Sequence, residues 1–349
     1  MPEMKGIIMW KVGIAGCGNI AKVHAEVLKN MENVSIRAFA DCKPDRAAAY
    51  KEIYGTQKTN CWSSLEEMLE NEELDVVHIC TPHFLHVPMA LTVLEHGIHV
   101  FMEKPPAISR ETFQKLQEAE KKSGKCVGIC FQNRYNESVA QIFEEFKKEE
   151  LGKIIGARAF LTWSRGEKYY KESGWRGIKE KEGGGVLMNQ AIHTLDLLVQ
   201  FLGKPLAAQA SMKNHHLAGI IEEEDTMEAY IRFENASACF YATNAYVSDS
   251  PVLMELECEK GSVRMEENQL WIRYKNGTGK TFSFAKASGV GKSYWGNSHG
   301  RCITDYYESL YAGKEFRNSL ENVKDTFSLT MDLYESAATG KPVVCGKEV

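Results

Sequence analysis

The chain has 349 residues, of which 42 are basic and 47 are acidic, giving a formal net charge of −5. This balance argues against nucleic acid or an anionic membrane surface as a partner. No apolar run approaches the roughly 18 residues that a membrane span needs, and the length indicates about two domains.

The N-terminal stretch MPEMKGIIMWKVGIAG lacks the layout of a secretory signal, because Lys11 interrupts its apolar part and no small-residue cleavage site follows. The ten cysteines include no CxxC pair. We interpret them as small core residues or incidental thiols, not as a disulfide frame or a zinc site. These features predict a cytoplasmic protein that needs no metal.

A strand-like segment, a glycine turn and a helical segment follow one another in WKVGIAGCGNIAKVHAEVLK. Gly16 permits a tight bend, Gly18 lets the main chain approach a pyrophosphate, and Ala21 lets the helix pack on the strand. The first N–H groups of the helix would point at the phosphates. The turn therefore predicts a dinucleotide site that includes Gly16, Gly18, Asn19 and Ile20.

Asp41 ends the second predicted strand, VSIRAFADC, about where an acidic residue binds the adenosine ribose in such folds. A carboxylate there favours NAD, because it repels the 2′-phosphate of NADP. Lys43 weakens this preference, so NADP stays an alternative. The competing interpretation is that Asp41 only caps the turn before Pro44.

Strands and helices continue to alternate with short links, which predicts an α/β fold with a parallel, doubly wound sheet, a Rossmann domain over residues 1–129. Its helices include one that Gly97 closes and a capped one that Gly124 stops. Ligands of such sheets bind beyond the carboxyl ends of the strands. The residues predicted at those ends are Thr81, Pro82, Glu103, Lys104 and Gln132.

The stretch EKPPA is the most specific of these strand ends. Proline offers no N–H, so the strand must stop after Lys104, and a cis bond is open to it. A lysine fixed at the rim of the crevice can donate to a substrate hydroxyl, and partial burial would lower its pKa. The alternative is a surface pair of Glu103 and Lys104.

The chain changes character after Leu151-Gly152, and a second domain is predicted over residues 130–349. The segment TMEAYIRFENASACFYATNAY predicts a hairpin that turns at Glu234-Asn235, and further turns are predicted at Lys260-Gly261 and Asn276-Gly277. Period-two strands predict an α+β domain with a mostly antiparallel sheet, one face of which packs on helices.

The stretch GGGVLMNQAIHTLD, from Gly183 to Asp196, carries polar residues at helical spacing. At about 100° per residue, Asn189, His193 and Asp196 fall in one stripe. One interpretation is a buried helix with a structural histidine. The other is a catalytic wall whose glycines let its entry approach the cofactor or the substrate.

Two loops rich in aromatic, basic and amide groups suit a polyhydroxylated substrate, since rings cover C–H faces and polar groups bind hydroxyls. His299 is the best candidate among their residues, because it stands at a helix start after a loop. Ordinary loop composition is the alternative for each. The candidates are Tyr169, Tyr170, Trp175, Arg176, Trp295 and His299.

The chain resembles the glucose–fructose oxidoreductase / inositol dehydrogenase / MocA family over nearly its whole length. The resemblance rests on GIAGCGNIA, VVHICTPHFLHVPMAL, HVFMEKPPA, FQNRYN, EGGGVLMNQAIHTLDLL and YESAATGKPV. It implies a Rossmann domain and then a substrate-binding α+β domain, whose large open-faced sheet helps to enclose the substrate and often mediates oligomers. It therefore implies a homo-oligomer, a dimer or a tetramer.

Residue roles also follow from the resemblance. It implies that Lys104 contacts the substrate near the nicotinamide and that His193 is the acid/base. Two positions depart from the family pattern: Asn189 stands where many members have Asp, and His83 where many have Asn. The positions implied to line the dinucleotide are Thr81, His86, Glu103, Gln132, Trp175 and Arg176.

Together, motifs and resemblance predict an NAD-dependent oxidoreductase that moves hydride between nicotinamide and a secondary hydroxyl of a sugar, cyclitol or related polyol. His193 is the predicted general base, because an ordinary histidine pKa of about 6.5 suits that role. Lys104 donates to the same oxygen, and Asn189 orients the substrate or the imidazole. Asp196 either fixes the tautomer of His193 or serves only the helix.

Two alternatives stay open. An enzyme that retains NAD would use transient oxidation to drive elimination, so that a glycosidic bond breaks without net redox change. A non-catalytic dinucleotide or sugar sensor would not depend on Lys104 or His193.

Overall fold

The computed structural model describes residues 9–266, 268–285 and 298–346. Its first sheet has six parallel strands in the order β3-β2-β1-β4-β5-β6. The strands are β1 (Trp10–Ala15), β2 (Val34–Ala40), β3 (Asn60–Trp62), β4 (Val76–Ile79), β5 (His99–Glu103) and β6 (Val127–Cys130).

Helices connect these strands and cover the sheet, so the central strands are buried on both faces and carry nearly continuous apolar runs such as VVHI in β4. Ser109 and Thr112 form a capping box at the start of α5, and Gly124 ends α5 in the left-handed region. The helices are α1 (Ala21–Lys29), α2 (Pro44–Tyr54), α3 (Leu65–Asn71), α4 (His83–Glu95) and α5 (Arg110–Ser123).

A nine-stranded sheet dominates the rest of the chain, in the order β14-β13-β12-β11-β7-β10-β9-β8-β15. Only the pair β7 and β10 is parallel among its described neighbours. The strands are β7 (Ile154–Thr162), β8 (Pro205–Lys213), β9 (Thr226–Phe233), β10 (Ser237–Thr243), β11 (Leu253–Cys258), β12 (Gly261–Glu266), β13 (Gln269–Tyr274), β14 (Gly279–Ser283) and β15 (Val343–Val344).

Helical segments pack on one face of this sheet, and the alternating burial of β9 shows that the other face is open. The helical segments of this part of the chain are a 3-10 turn (Gln132–Tyr135), α6 (Glu137–Phe146), α7 (Glu167–Lys171), α8 (Lys179–Glu182), a π-helical turn (Leu187–Ala191), α9 (Ile192–Leu202), α10 (His299–Ala312) and α11 (Leu320–Thr339). Among them, α9 packs on β7 and α11 packs on β8.

Helix α10 returns to the first sheet. Its residues Ile303, Tyr306 and Tyr307 share a buried cluster with Val12 and Phe101 of β1 and β5. The hydroxyl of Tyr306 donates to the main-chain oxygen of Val100 at 2.9 Å. The C-terminal residues thus pack on both sheets, and the division into residues 1–129 and 130–349 stays a proposal about folding units.

The predicted fold class is confirmed: a parallel Rossmann sheet is followed by a large, mostly antiparallel sheet. The hairpin at Glu234-Asn235 is present as β9 and β10, and Asn276-Gly277 joins β13 to β14. Trp295 lies outside the described residues. No helix in the described part of the chain is long and apolar enough to cross a membrane.

Candidate active site

The glycine turn between β1 and α1 leaves room for a phosphate group. Gly16 has a φ of +88°, and a Cβ there would lie 2.8 Å from the main-chain oxygen of Cys80. A Cβ on Gly18 would meet no atom within 4 Å. Asn19 is exposed and Ile20 half-buried at the start of α1. The turn therefore combines open space with the free N–H groups of a helix start.

Asp41 follows β2 and faces this turn. Its Oδ2 accepts from the N–H of Cys17 and its Oδ1 from the N–H of Lys43, each at 2.8 Å. The second bond is the turn cap of the competing interpretation, and the first ties Asp41 to the glycine turn. Both bonds are present together, so the cap does not remove Asp41 from the predicted dinucleotide site.

The strand ends after β4 and β5 form the next part of the crevice. The loop residues Thr81 and Pro82 lead into α4, where His86 is fully buried. The ring nitrogens of His86 lie 2.9 Å from the main-chain oxygen of Pro105 and 3.0 Å from that of Thr81. His86 thus braces the two loops through main-chain contacts.

Glu103 is buried and bound to a chain of histidines. Its Oε1 lies 2.9 Å from Nε2 of His24, whose Nδ1 lies 2.9 Å from Nδ1 of His78. Burial alone would raise the pKa of Glu103, but the hydrogen bond and charge of His24, with the charges of His299 and Lys104, lower it to about 2. Glu103 is therefore a buried anion beneath the crevice, and the interpretation as a surface pair with Lys104 is wrong.

Lys104, whose peptide bond to Pro105 is cis, links the end of β5 to the π-helical turn before α9. Its Nζ donates to the main-chain oxygen of Asn189 at 2.6 Å and to Oδ1 of Asn189 at 3.3 Å. Burial lowers the pKa of Lys104, and the nearby charge of Arg176 acts in the same direction. An ammonium has three donors, so one N–H stays available for a ligand.

His193 stands in the first turn of α9 beside Lys104. Neither ring nitrogen bonds to a described residue, and Nδ1 is buried; the ring packs edge-on against Phe131, with centroids 5.5 Å apart. Burial lowers the pKa of His193 to about 3, and the charge of Lys104 contributes. The imidazole is therefore neutral at pH 7, and the expectation of an ordinary histidine pKa is wrong for His193.

Asp196 points away from His193. It is fully buried and accepts two hydrogen bonds from Arg134, at 2.8 Å from Nε and 2.5 Å from Nη2. Its Oδ1 also accepts from the hydroxyl of Thr326 at 2.7 Å. Asp196 therefore ties α9 to α11 and to the turn after β6, and the alternative that it fixes the tautomer of His193 is wrong.

The glycine run before the π-helical turn serves packing. A Cβ on Gly183 would lie 2.6 Å from Ile108, one on Gly184 2.0 Å from Tyr334, and one on Gly185 1.8 Å from the main-chain oxygen of Glu224. The expectation that these glycines let the loop approach cofactor or substrate is therefore replaced by a steric requirement inside the protein.

The loop between α7 and α8 brings aromatic and basic groups to the site. The guanidinium of Arg176 lies 4.5 Å from the ring centroid of Tyr169 and 4.8 Å from that of Trp175. Trp175 in turn packs on His83, with ring centroids 4.7 Å apart. Tyr170 is 3% exposed and belongs to a small apolar cluster, so the expectation that it lines the site is wrong.

Two further predicted site residues, His299 and Gln132, are buried. His299 begins α10, and burial lowers its pKa to about 4, with Glu103 and Lys104 close enough to act on it. Gln132 is buried at the start of the 3-10 turn after β6.

Sequence reasoning missed two buried carboxylates. Glu224 accepts from the N–H groups of Leu187 and Gly185, both at 3.0 Å, and so caps the start of the helical segment. Glu182, the last residue of α8, is 1% exposed and bonds to Asn189 and to the N–H of Gly177. Its sequence context, GIKEKEGGG, is typical of a charged surface and gave no signal of burial.

The residues present fit a dinucleotide. Thr81 Oγ1, Arg176 Nε and His193 Nδ1 are buried and have no hydrogen-bond partner among the described residues. Because buried polar atoms are normally paired, these atoms are suited to a polar ligand. The open space at Gly18 supplies the phosphate end of the same crevice.

Comparison with protein families gives two matches along the chain. Residues 10–131 match the oxidoreductase family with an NAD-binding Rossmann fold, GFO_IDH_MocA, and residues 139–264 match the GFO/IDH/MocA C-terminal domain. The predicted cofactor, NAD, is confirmed at the level of this family description.

Curated relatives share part of their length with this chain. The D-glucoside 3-dehydrogenase of Escherichia coli strain K12 is 33% identical over 199 residues, which are 56% of this chain and 54% of the relative. The myo-inositol 2-dehydrogenase of Thermotoga maritima is 23% identical over 232 residues, 65% of this chain and 66% of the relative. The chain thus spans little more than half of the first of these.

The fold extends over whole solved structures. Levoglucosan dehydrogenase in complex with NADH superposes with a TM-score of 0.87 at 20% identity, covering 97% of this chain and 100% of that one. At this identity the likeness shows the fold alone.

Proposed function

Because the chain belongs to the Gfo/Idh/MocA family of oxidoreductases, we propose that it is an NAD-dependent dehydrogenase acting on a secondary hydroxyl of a sugar, cyclitol or related polyol. Bound NAD would accept the hydride from the carbinol carbon. The chain's own residues would hold the substrate and manage the hydroxyl proton.

One observation carries the proposal: a lysine from the first sheet and a histidine from the second domain converge on one crevice. Nζ of Lys104 is anchored on Asn189 at 2.6 Å, and its charge acts on the pKa of His193. The buried Nδ1 of His193 has no partner among the described residues. A donor and an acceptor for the same substrate oxygen therefore lie side by side.

The proton chemistry follows from these charges. The third N–H of Lys104 would donate to the hydroxyl oxygen and stabilise its negative charge. The neutral imidazole of His193 would accept the hydroxyl proton. A pKa of about 3 makes it a weak base, but the hydroxyl proton becomes strongly acidic as hydride leaves the same carbon, so a weak base suffices.

Half-buried residues of α7 and of the loop that follows it support a polyol substrate. Tyr169, Trp175 and Arg176 stack on one another beside Asn189, and such rings and cations suit the C–H faces and hydroxyls of a sugar. The names of the relatives above point the same way, since they contain a glucoside, myo-inositol and levoglucosan.

Cofactor preference, cellular location and oligomeric state are also part of this proposal. We retain NAD over NADP because of Asp41, and cytoplasmic location because all ten cysteines are free thiols. We also retain a homo-oligomer formed through the open face of the second sheet, where Tyr230 of β9 is exposed. Light scattering on the purified protein tests the last of these.

The test measures the formation of NADH by its absorbance when the protein is incubated with NAD and each member of a panel of sugars, inositols and amino sugars. Wild type, His193→Ala and the control His96→Ala, an exposed histidine after α4, are compared. We expect turnover with at least one polyol, its loss in His193→Ala and its retention in His96→Ala. Equal rates in wild type and His193→Ala would overturn the assignment of the base.

The same assay separates the alternatives. Cofactor that stays bound through purification, with glycoside cleavage but no steady formation of NADH, would replace net oxidation by the retained-NAD mechanism. A sensor would bind dinucleotide and sugar equally well in wild type, Lys104→Ala and His193→Ala, without turnover in any of them.

A further inference from the structure

Glu182 is a buried carboxylate one hydrogen bond away from the group that holds Lys104. Its Oε2 accepts from the N–H of Gly177, and its Oε1 accepts from Nδ2 of Asn189. No lysine or arginine forms an ion pair with it among the described residues. Asn189 therefore lies between a carboxylate that only accepts and an ammonium that only donates.

Hydrogen-bond chemistry fixes the orientation of the Asn189 amide. An ionised carboxylate has no proton to donate, so it must receive the amide N–H₂. The amide oxygen then faces Lys104, at 3.3 Å from Nζ. With the main-chain oxygen of the same residue at 2.6 Å, two acceptors hold the ammonium.

We propose that Glu182 is a positioning residue of the active site, whose ionised carboxylate keeps the oxygen of Asn189 turned toward Lys104. This inference rests on the proposed function, in which Lys104 donates to the substrate oxygen. The carboxylate of this part of the site is thus supplied by Glu182 and acts through the amide of Asn189.

Protonation of Glu182 reverses the arrangement. The N–H of Gly177 still needs one acceptor oxygen, so the new O–H must point at Asn189. The amide would turn its oxygen to that O–H and its N–H₂ to Lys104, which places two donors against each other. Lys104 then keeps only the main-chain oxygen and loses its fixed direction toward the substrate.

The surroundings of Glu182 place its protonation near neutral pH. Burial raises its pKa to about 7, against the lowering effects of the bonds from Gly177 and Asn189 and of nearby positive charges. The titratable and charged groups that face it are Arg176 from its own loop, Lys104 from the end of β5, His83 from α4, and Tyr169 and Tyr170 from α7.

We therefore expect kcat/KM of the wild type to fall as pH decreases through about 7. His193 does not account for such a limb, because its own pKa is about 3. Glu224 also has a pKa of about 7, but it bonds to the start of the helical segment and not to Asn189.

Three variants test the direction of the hydrogen bonds. In Glu182→Gln, the amide oxygen stays with Gly177 and the N–H₂ faces Asn189, which mimics the protonated acid. We expect kcat/KM at pH 8 to fall about ten- to hundredfold, the range for one lost hydrogen bond to a charged group. The acid limb near pH 7 should disappear.

Asn189→Asp should remove the acid limb near pH 7. Two facing carboxylates share a proton, and Glu182 then donates to Asp while Asp accepts from Lys104. Because both oxygens of an ionised carboxylate accept, Lys104 also keeps its acceptor when the pair has lost that proton. The double variant E182Q/N189D restores a donor at one position and an acceptor at the other without any shared proton. It should recover most of the activity, with no acid limb.

Loss of activity in a variant supports the role of Glu182 only if the variant is folded. Thermal unfolding and NADH binding of each variant show whether it is folded. A folded Glu182→Gln enzyme with the wild-type rate and acid limb, or a double variant no more active than Glu182→Gln, overturns the proposal.

If the wild type oxidises no polyol, the proposed function fails, but the proposal for Glu182 keeps a separate test. The side-chain N–H₂ signals of Asn189, assigned by their loss in Asn189→Asp, should shift with a midpoint of about pH 7 in the wild type and stay constant in Glu182→Gln. Signals that titrate equally in both proteins overturn it.

Discussion

The ammonium of Lys104 lies 2.6 Å from the main-chain oxygen of Asn189, so the end of β5 is anchored on the π-helical turn that precedes α9. π-Helical turns occur mostly as single turns and often at functional sites. Here the turn presents both oxygens of one asparagine to one lysine. The position of the proposed substrate donor thus depends on how this turn packs against the end of β5.

Lys104→Met should lower kcat strongly while leaving NAD binding nearly unchanged. Loss of one donor to a developing oxyanion costs about 10²- to 10³-fold in kcat. The N–H groups of the glycine turn would hold the phosphates, and Lys104 bonds to Asn189 and not to that turn. Steady-state kinetics and NADH titration measure the two effects. Lys122→Met, on the exposed side of α5, is the matched control, and a Lys104→Met enzyme as fast as this control would contradict the role.

His193 should remain neutral through the physiological range. Burial lowers its pKa to about 3, so its ring signals in nitrogen NMR should not titrate between about pH 5 and pH 8, where a histidine peptide does. The unfolded chain takes up a proton near pH 6.5 and the fold does not. The stability that the neutral ring contributes is therefore present above pH 6.5 and declines as pH falls, and His193→Gln lacks this decline. A ring that titrates near 6.5 in the folded protein would contradict the burial argument.

Most of the fold could be predicted because the sequence patterns that indicate its elements are local. The strand, turn and helix around Gly16 and Gly18 identify the Rossmann unit within a few residues, and Asn276-Gly277 marks a hairpin by itself. Helix α10 shows the limit. Its sequence predicts a helix, but its packing on the first sheet depends on residues about 200 positions earlier, as in the bond from Tyr306 to Val100.

Site residues could be predicted from the sequence where a local motif supplies the chemistry. They could not be predicted where a hydrogen-bond partner that is distant in sequence determines the role of a side chain. Helical spacing places Asp196 near His193, but Arg134, 62 residues away in sequence, takes the carboxylate. Glu182 lies in a run of charged residues, and only the folding of the loop onto Gly177 and Asn189 buries it. Spacing along one helix does not reveal which distant group a carboxylate meets.

Asp196→Asn should destabilise the fold much more than it changes the chemistry. The change removes one partner of a fully buried ion pair and leaves Arg134 uncompensated, at a cost of about 3–5 kcal/mol. Denaturant unfolding measures this loss. Below the unfolding transition, kcat should stay close to that of the wild type, because Asp196 does not contact His193. A stable variant with a strongly reduced kcat would instead place Asp196 in the proton chemistry.

Asp41→Ser should shift cofactor preference toward NADP. The carboxylate next to the glycine turn would repel a 2′-phosphate, and serine removes this charge while its hydroxyl can still accept from the N–H of Cys17 or Lys43. The ratio of kcat/KM for NADP to that for NAD should rise at least about tenfold, since removing a few kcal/mol of repulsion between close charges is worth one or more decades. The control Asp45→Ser removes the same unit of negative charge from the first turn of α2. It should leave the ratio of kcat/KM for NADP to that for NAD unchanged. An equal ratio in wild type and Asp41→Ser would mean that Asp41 only caps the turn before Pro44, and that the preference for NAD comes from elsewhere in the crevice.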